Sequence, residues 1–127
     1  MSDLCPCQSA RNYADCCGRY HAGALHLLAP TAEALMRSRY SAFVRGLGDY
    51  LLATWHASTR PAQIEPNEAG LRWLGLEIKR HTVIDADHAN VEFVARSKLG
   101  GRAQRLHEIS RFVREDQRWY YVDGDLR

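Results

Sequence analysis

Cys5, Cys7, Cys16 and Cys17 are the residues of this chain best suited to chemistry, because they are its only four cysteines and all fall within the first seventeen residues. Two close pairs on either side of an eight-residue gap let one short loop present four thiolates to a single ion. Tetrahedral zinc needs four such soft or borderline donors. Disulfides are the first competing reading. Met1-Ser2-Asp3-Leu4 has neither a basic start nor an apolar run of leader length, which places the chain in the reducing cytosol, where clustered cysteines more often bind metal. A bridge between the adjacent Cys16 and Cys17, or across Cys5-Pro6-Cys7, would also be strained. Thiol redox chemistry is the second competitor, but such sites usually keep two residues between their cysteines at a strand-to-helix turn, and this pattern does neither. Structural zinc is expected, with redox activity or another thiophilic metal as the alternatives. His21 and His26 are available as further ligands, but four cysteines already complete a closed site, so both are expected to face solvent.

Cys5-Pro6-Cys7-Gln8-Ser9, Tyr13 within the gap and the closing Cys16-Cys17-Gly18 resemble the SEC-C motif, the zinc knuckle at the carboxyl end of many SecA translocase subunits. That resemblance assigns Cys5, Cys7, Cys16 and Cys17 as the four ligands. Gln8 stands where the motif usually has glycine, and Ala10, Arg11, Asn12 and Ala14 replace its common lysines, so the basic face of the SecA version is largely missing. Beyond the knuckle, Leu35-Met36-Arg37-Ser38-Arg39-Tyr40-Ser41-Ala42-Phe43, Tyr50 to His56, Trp73 to Leu76, Phe93 to Arg96, Ser110 to Phe112 and Trp119 to Gly124 are similar, in that order, to the bacterial YchJ family over most of the chain. The resemblance implies an NTF2-like domain behind the zinc module and brings no established activity with it.

The elements that must position these residues can be read from periodicity. We divide the chain into a knuckle at residues 1–20, a linker at 21–30 and the main domain at 31–127, the knuckle being a small appendage. Thr31 can cap a helix whose Leu35, Met36, Tyr40, Phe43, Val44 and Leu47 recur at spacings of three and four, which defines one buried face. Gly46 and Gly48 close it, and Asp49 is the expected cap of a second short helix running to Trp55. Pro61, Pro66 and Gly70 mark a loop over 57–70. From Trp73 the period shifts towards two, and strands are expected near 73–84, 89–97, 102–114 and 119–123. Their short connections require antiparallel pairing, giving an α+β fold. The cone of helices packed on a curved sheet, specific to the NTF2-like fold, is what the resemblance adds.

A cone of that kind offers a pocket between sheet and helices, and the polar residues expected to reach it are Arg39, Trp55, His56, Glu108, Arg111, Tyr121 and Asp123. On the third strand Leu106, Glu108, Ser110 and Phe112 share one face and His107, Ile109, Arg111 and Val113 the other, while Tyr121 and Asp123 are placed together on the last strand. Such a pocket would suit an anionic small molecule, with Glu108, His56 or Asp123 as a base and Arg39 or Arg111 orienting the anion. Buried Arg and Glu more often satisfy each other's charge, and the balance leans away from an enzyme and towards a binding or adaptor module.

Seventeen basic residues against fifteen acidic ones leave a formal charge of +2, weak support for a polyanionic partner. The arginines of the first half form no run, and the spacing of a DNA-reading finger is absent, so nucleic acid is not the expected partner. Arg96, Lys98, Arg102 and Arg105 around Gly100-Gly101 read as a solvated basic hairpin tip. No apolar run approaches bilayer length, and a cytoplasmic protein is expected. Its anticipated partners are a protein reached through the knuckle, a small-molecule ligand, and a second copy across the outer face of the sheet, the last implied by the NTF2-like resemblance.

Overall fold

The computed structural model describes residues 3–127; Met1 and Ser2, on which part of the expectation about a leader falls, lie outside the described residues. Among the described residues three α-helices precede four strands: α1 (Gly18–His21), α2 (Ala32–Arg45), α3 (Gly48–Ala53), β1 (Arg72–Asp85), β2 (His88–Leu99), β3 (Arg102–Glu115) and β4 (Arg118–Leu126). α2 starts where Thr31 Oγ1 accepts the Ala34 amide at 3.0 Å, the expected cap. It ends at Gly46, whose φ of 71° lets its N–H turn back to the carbonyls of Ala42 and Phe43, the left-handed stop that glycine supplies most cheaply. That turn already redirects the chain, so α3 begins at once from Leu47, which gives no side-chain cap, and the anticipated cap Asp49 sits inside the first turn instead.

The strands pair antiparallel in the order β1-β2-β3-β4, as short connections demand. Register shifts in β1 between Trp73 and Gly75, Ile78 and Arg80, and Val83 and Asp85 add local twist, and the sheet curls around α2. Val91, Phe93, Ala95 and Phe112 form the buried face of the sheet and meet Leu35, Met36 and Tyr40 of the helix. The cysteines belong to this same buried cluster. The cysteines of the amino-terminal segment are therefore packed against the main core.

Two of the hairpins close on paired residues with positive φ, Gly100-Gly101 at 58° and 77° and Asp116-Gln117 at 52° and 65°, the conformation whose twist matches that of the flanking strands. Glycine meets that demand freely, whereas a residue with a Cβ pays about 1–2 kcal/mol in the left-handed region. Gln117→Gly is accordingly expected to stabilise the fold by about 1 kcal/mol, visible as a higher urea midpoint with an unchanged slope. An unchanged or lower midpoint would contradict this account of the turn.

Candidate functional site

The cysteine segment is built around a tight reversal. Leu4 bridges Asn12, the Cys5 amide donates to the Arg11 carbonyl at 2.8 Å, and the Tyr13 amide to that of Asp3 at 2.7 Å. Gln8 and Ala10 take positive φ to turn the loop between them. A single 3-10 turn, Tyr13–Asp15, then leads to Cys16, with Cys17 at the start of α1. All four sulfurs lie within 4.8 Å of one another, and Cys7 Sγ is 3.6 Å from Cys16 Sγ. Metal–sulfur bonds of about 2.3 Å in a tetrahedron put sulfurs ~3.8 Å apart, so the set could close on an ion with small movements. Every one of the four residues is buried. As free thiols they differ: hydrogen bonds from Cys17 and Cys7 hold Cys5 well below the usual thiol range, while bonds to Cys5 and Cys7, together with burial, push Cys17 far up. A divalent ion would remove that conflict by replacing the shared protons.

Residues that sequence reasoning did not single out support the cluster. Ser41 Oγ lies 3.4 Å from Cys5 Sγ and Ser9 Oγ 3.1 Å from Cys16 Sγ. Arg37 donates through Nη1 to the Cys7 carbonyl at 2.9 Å and reaches its sulfur at 3.9 Å, while its Nε is held by Glu33. Arg37 and Ser41 are four apart on α2 and so share a face; that spacing was the available signal. His21, expected in solvent, is instead a latch: its Nε2 donates to the Ser38 carbonyl at 2.8 Å, which leaves Nδ1 to accept from the Tyr13 hydroxyl at 2.5 Å. Burial lowers its pKa. His26 is exposed, as anticipated.

The pocket residues divide into two groups. Arg39, Trp55, Glu108 and Tyr121 come together around a cavity of about 140 Å3 between α2 and the sheet. His56, Arg111 and Asp123 do not reach it. A register shift opposite Arg111 and Phe112 pairs Phe112 with Tyr121 but Arg111 with Asp123, leaving Val122 as an extra residue. The bulge turns Tyr121 inward and Asp123 outward, so two residues assigned to one face by strict alternation lie on opposite faces. Outside, Arg111 pairs with Asp123 at 2.5 Å and Asp125 at 2.9 Å. His56 binds Glu115 at 2.7 Å, packed edge-on against Tyr120. The bulge thus separates Asp123 from Glu108, while strand alternation carries Arg111 to the outer face and Glu115 holds His56, so the seven residues do not converge on one cavity. Arg39 and Glu108 share the cavity without a hydrogen bond to each other, since both side chains bond to other groups.

Residues 31–124 match the family described as YchJ, middle NTF2-like domain, and residues 1–19 match the SEC-C motif. The chain belongs to the YchJ family. Among YchJ-like relatives, a UPF0225 protein of Bordetella pertussis is 66% identical over 97% of this chain and 92% of its own length, and one of Methylibium petroleiphilum 62% identical over 96% and 88%. Two solved structures share the architecture. The solution structure of a SEC-C motif containing protein from Rhodopseudomonas palustris superposes with a TM-score of 0.82 at 31% identity, covering 98% of both chains. The crystal structure of a SEC-C motif containing protein from Psychrobacter arcticus gives 0.78 at 32% identity over 97% of this chain and 82% of that one. The fold of the YchJ main domain is thus NTF2-like α+β, joined to a SEC-C segment whose buried cysteine cluster suits a metal ion. No helix among the described residues is long and apolar enough to cross a membrane.

Gly18 fixes the geometry after Cys17, because a Cβ there would lie 2.7 Å from the Tyr13 carbonyl oxygen and 2.8 Å from its ring. Gly18→Ala is expected to cost about 1–3 kcal/mol, read as a lower Tm with faster thiol labelling of the metal-free protein. Unaltered labelling and Tm would show that the cluster does not depend on this close approach.

Proposed function

We propose that this protein is a cytoplasmic binding or adaptor module in which Cys5, Cys7, Cys16 and Cys17 hold one structural zinc ion. The observation that carries the reading is the closed donor set, four buried sulfurs within 4.8 Å. Four thiolates would complete the tetrahedral shell of zinc and leave no open position for a substrate or an activated water, so the ion would cross-link the segment rather than catalyse. In a reducing compartment the thiols stay available for that role. Arg37 would offset part of the negative charge of a four-thiolate site through its contact with Cys7.

The surface offered to a protein partner would be the outer side of the same loop. Ala10, Arg11, Asn12, Ala14 and Asp15 are exposed there, held in place by backbone bonds and the cysteines rather than by their own side chains. Reversing the two charges, Arg11→Glu with Asp15→Arg, should leave zinc content and Tm unchanged while abolishing the in-cell crosslinks made by this loop. Crosslinks that survive the double reversal would argue against a partner surface at the knuckle.

A further inference from the structure

The cavity beneath α2 holds a feature that neither the metal cluster nor the core explains. Arg39 is 3% exposed, and only its Nη1 is hydrogen-bonded, to the Leu51 carbonyl at 2.9 Å and to Thr54 Oγ1 at 2.7 Å. Its guanidinium carbon is 5.1 Å and 4.7 Å from the ring centroids of Trp55 and Tyr121, which themselves meet edge to face at 5.0 Å. Nε and Nη2 have no hydrogen-bond partner among the described residues, and the side chain forms part of the cavity wall. A buried cation whose donors are not all taken up costs several kcal/mol. Burial lowers the Arg39 pKa only to about 10, so the charge persists at neutral pH and cannot be shed as a lysine's could be. The carboxylate of Glu108 favours the charged form from nearby but takes none of these donors. Its Oε2 accepts from Ser110 Oγ and, at 3.5 Å, from the Tyr121 hydroxyl.

We propose that this cavity binds a small organic monocarboxylate, its carboxylate seated on the Nε and Nη2 donors of Arg39 and its apolar body against Met36, Phe43, Phe93 and Leu106. The free edge of a guanidinium presents two parallel N–H donors, the arrangement that a carboxylate accepts in bidentate fashion. Contact with both aromatic rings and the two bonds at Nη1 restrain that fork before any ligand arrives. The volume, about 140 Å3, is close to that of a dry cavity that takes up benzene, which limits the ligand to the order of ten heavy atoms. Glu108 Oε1, without a partner among the described residues, adds a preference for a hydroxyl on the ligand. Leu106, 41% exposed, stands at the mouth. The site is independent of the metal reading, since none of its residues touches the cysteines through a hydrogen bond.

The test titrates butyrate, hexanoate, benzoate and 4-hydroxybenzoate into the metal-loaded full chain at millimolar concentration, following the Trp55 indole N–H by NMR. At least one acid should saturate, with its neutral amide, benzamide in the case of benzoate, roughly tenfold weaker or worse. Arg39→Met should abolish binding, and because that change may unfold the core, Leu106→Trp is the second variant: it fills the mouth, leaves Arg39 in place and should weaken binding by a similar factor. No saturating shift from any of the four acids, equal affinity for acid and amide, or undiminished binding to a folded Leu106→Trp variant would each overturn the proposal.

Discussion

Helix α2 has to satisfy buried polar groups on two opposite sides at once, and the rest of the structure depends on that constraint. Arg37 and Ser41 face the cysteines, Arg39 faces the sheet cavity, and Ser38 lies between them, its hydroxyl shared with the Leu35 carbonyl and Tyr50. Ser38, Arg39 and Ser41 are almost wholly buried. Each would be costly if its partner were removed. A helix with one apolar stripe could lie on the sheet with its back to water; this one cannot, and so it requires both a covered sheet and a folded cysteine segment. The SEC-C segment and the NTF2-like domain are in that sense halves of a single core, joined at one helix.

How much of this was legible in the sequence follows from the range of the interaction involved. The cysteine pairs announce themselves by spacing alone, and the Thr31 cap and Gly46 stop of α2 are local signals that act where they stand. The four strands fall close to where alternation puts them, with the hairpin turns lying where glycines or polar residues interrupt it. What pattern reading could not supply was phase. One extra residue at Val122 reverses the facing of everything after it in β4, and strict alternation therefore put Asp123 in the cavity with Tyr121. His21 shows the same limit differently. Its partners Tyr13 and Ser38 are eight and seventeen residues away, and no periodicity links a knuckle loop to the carbonyl of a later helix.

The two candidate sites ask different things of the chain. At the cysteines the geometry is closed and buried, and a metal there would act by holding the loop against α2. At the cavity the geometry is open on one side, and Arg39 keeps donors without a hydrogen-bond partner among the described residues. α2 touches both, through residues two positions apart.

The central claim is that the four cysteines, and nothing else, hold a zinc ion. Zinc-edge X-ray absorption on the protein purified without chelator tests it most directly. The account predicts one zinc per chain with a shell of four sulfurs at about 2.3 Å and no nitrogen or oxygen neighbour. A shell containing nitrogen or oxygen, or protein that carries no zinc, would contradict it.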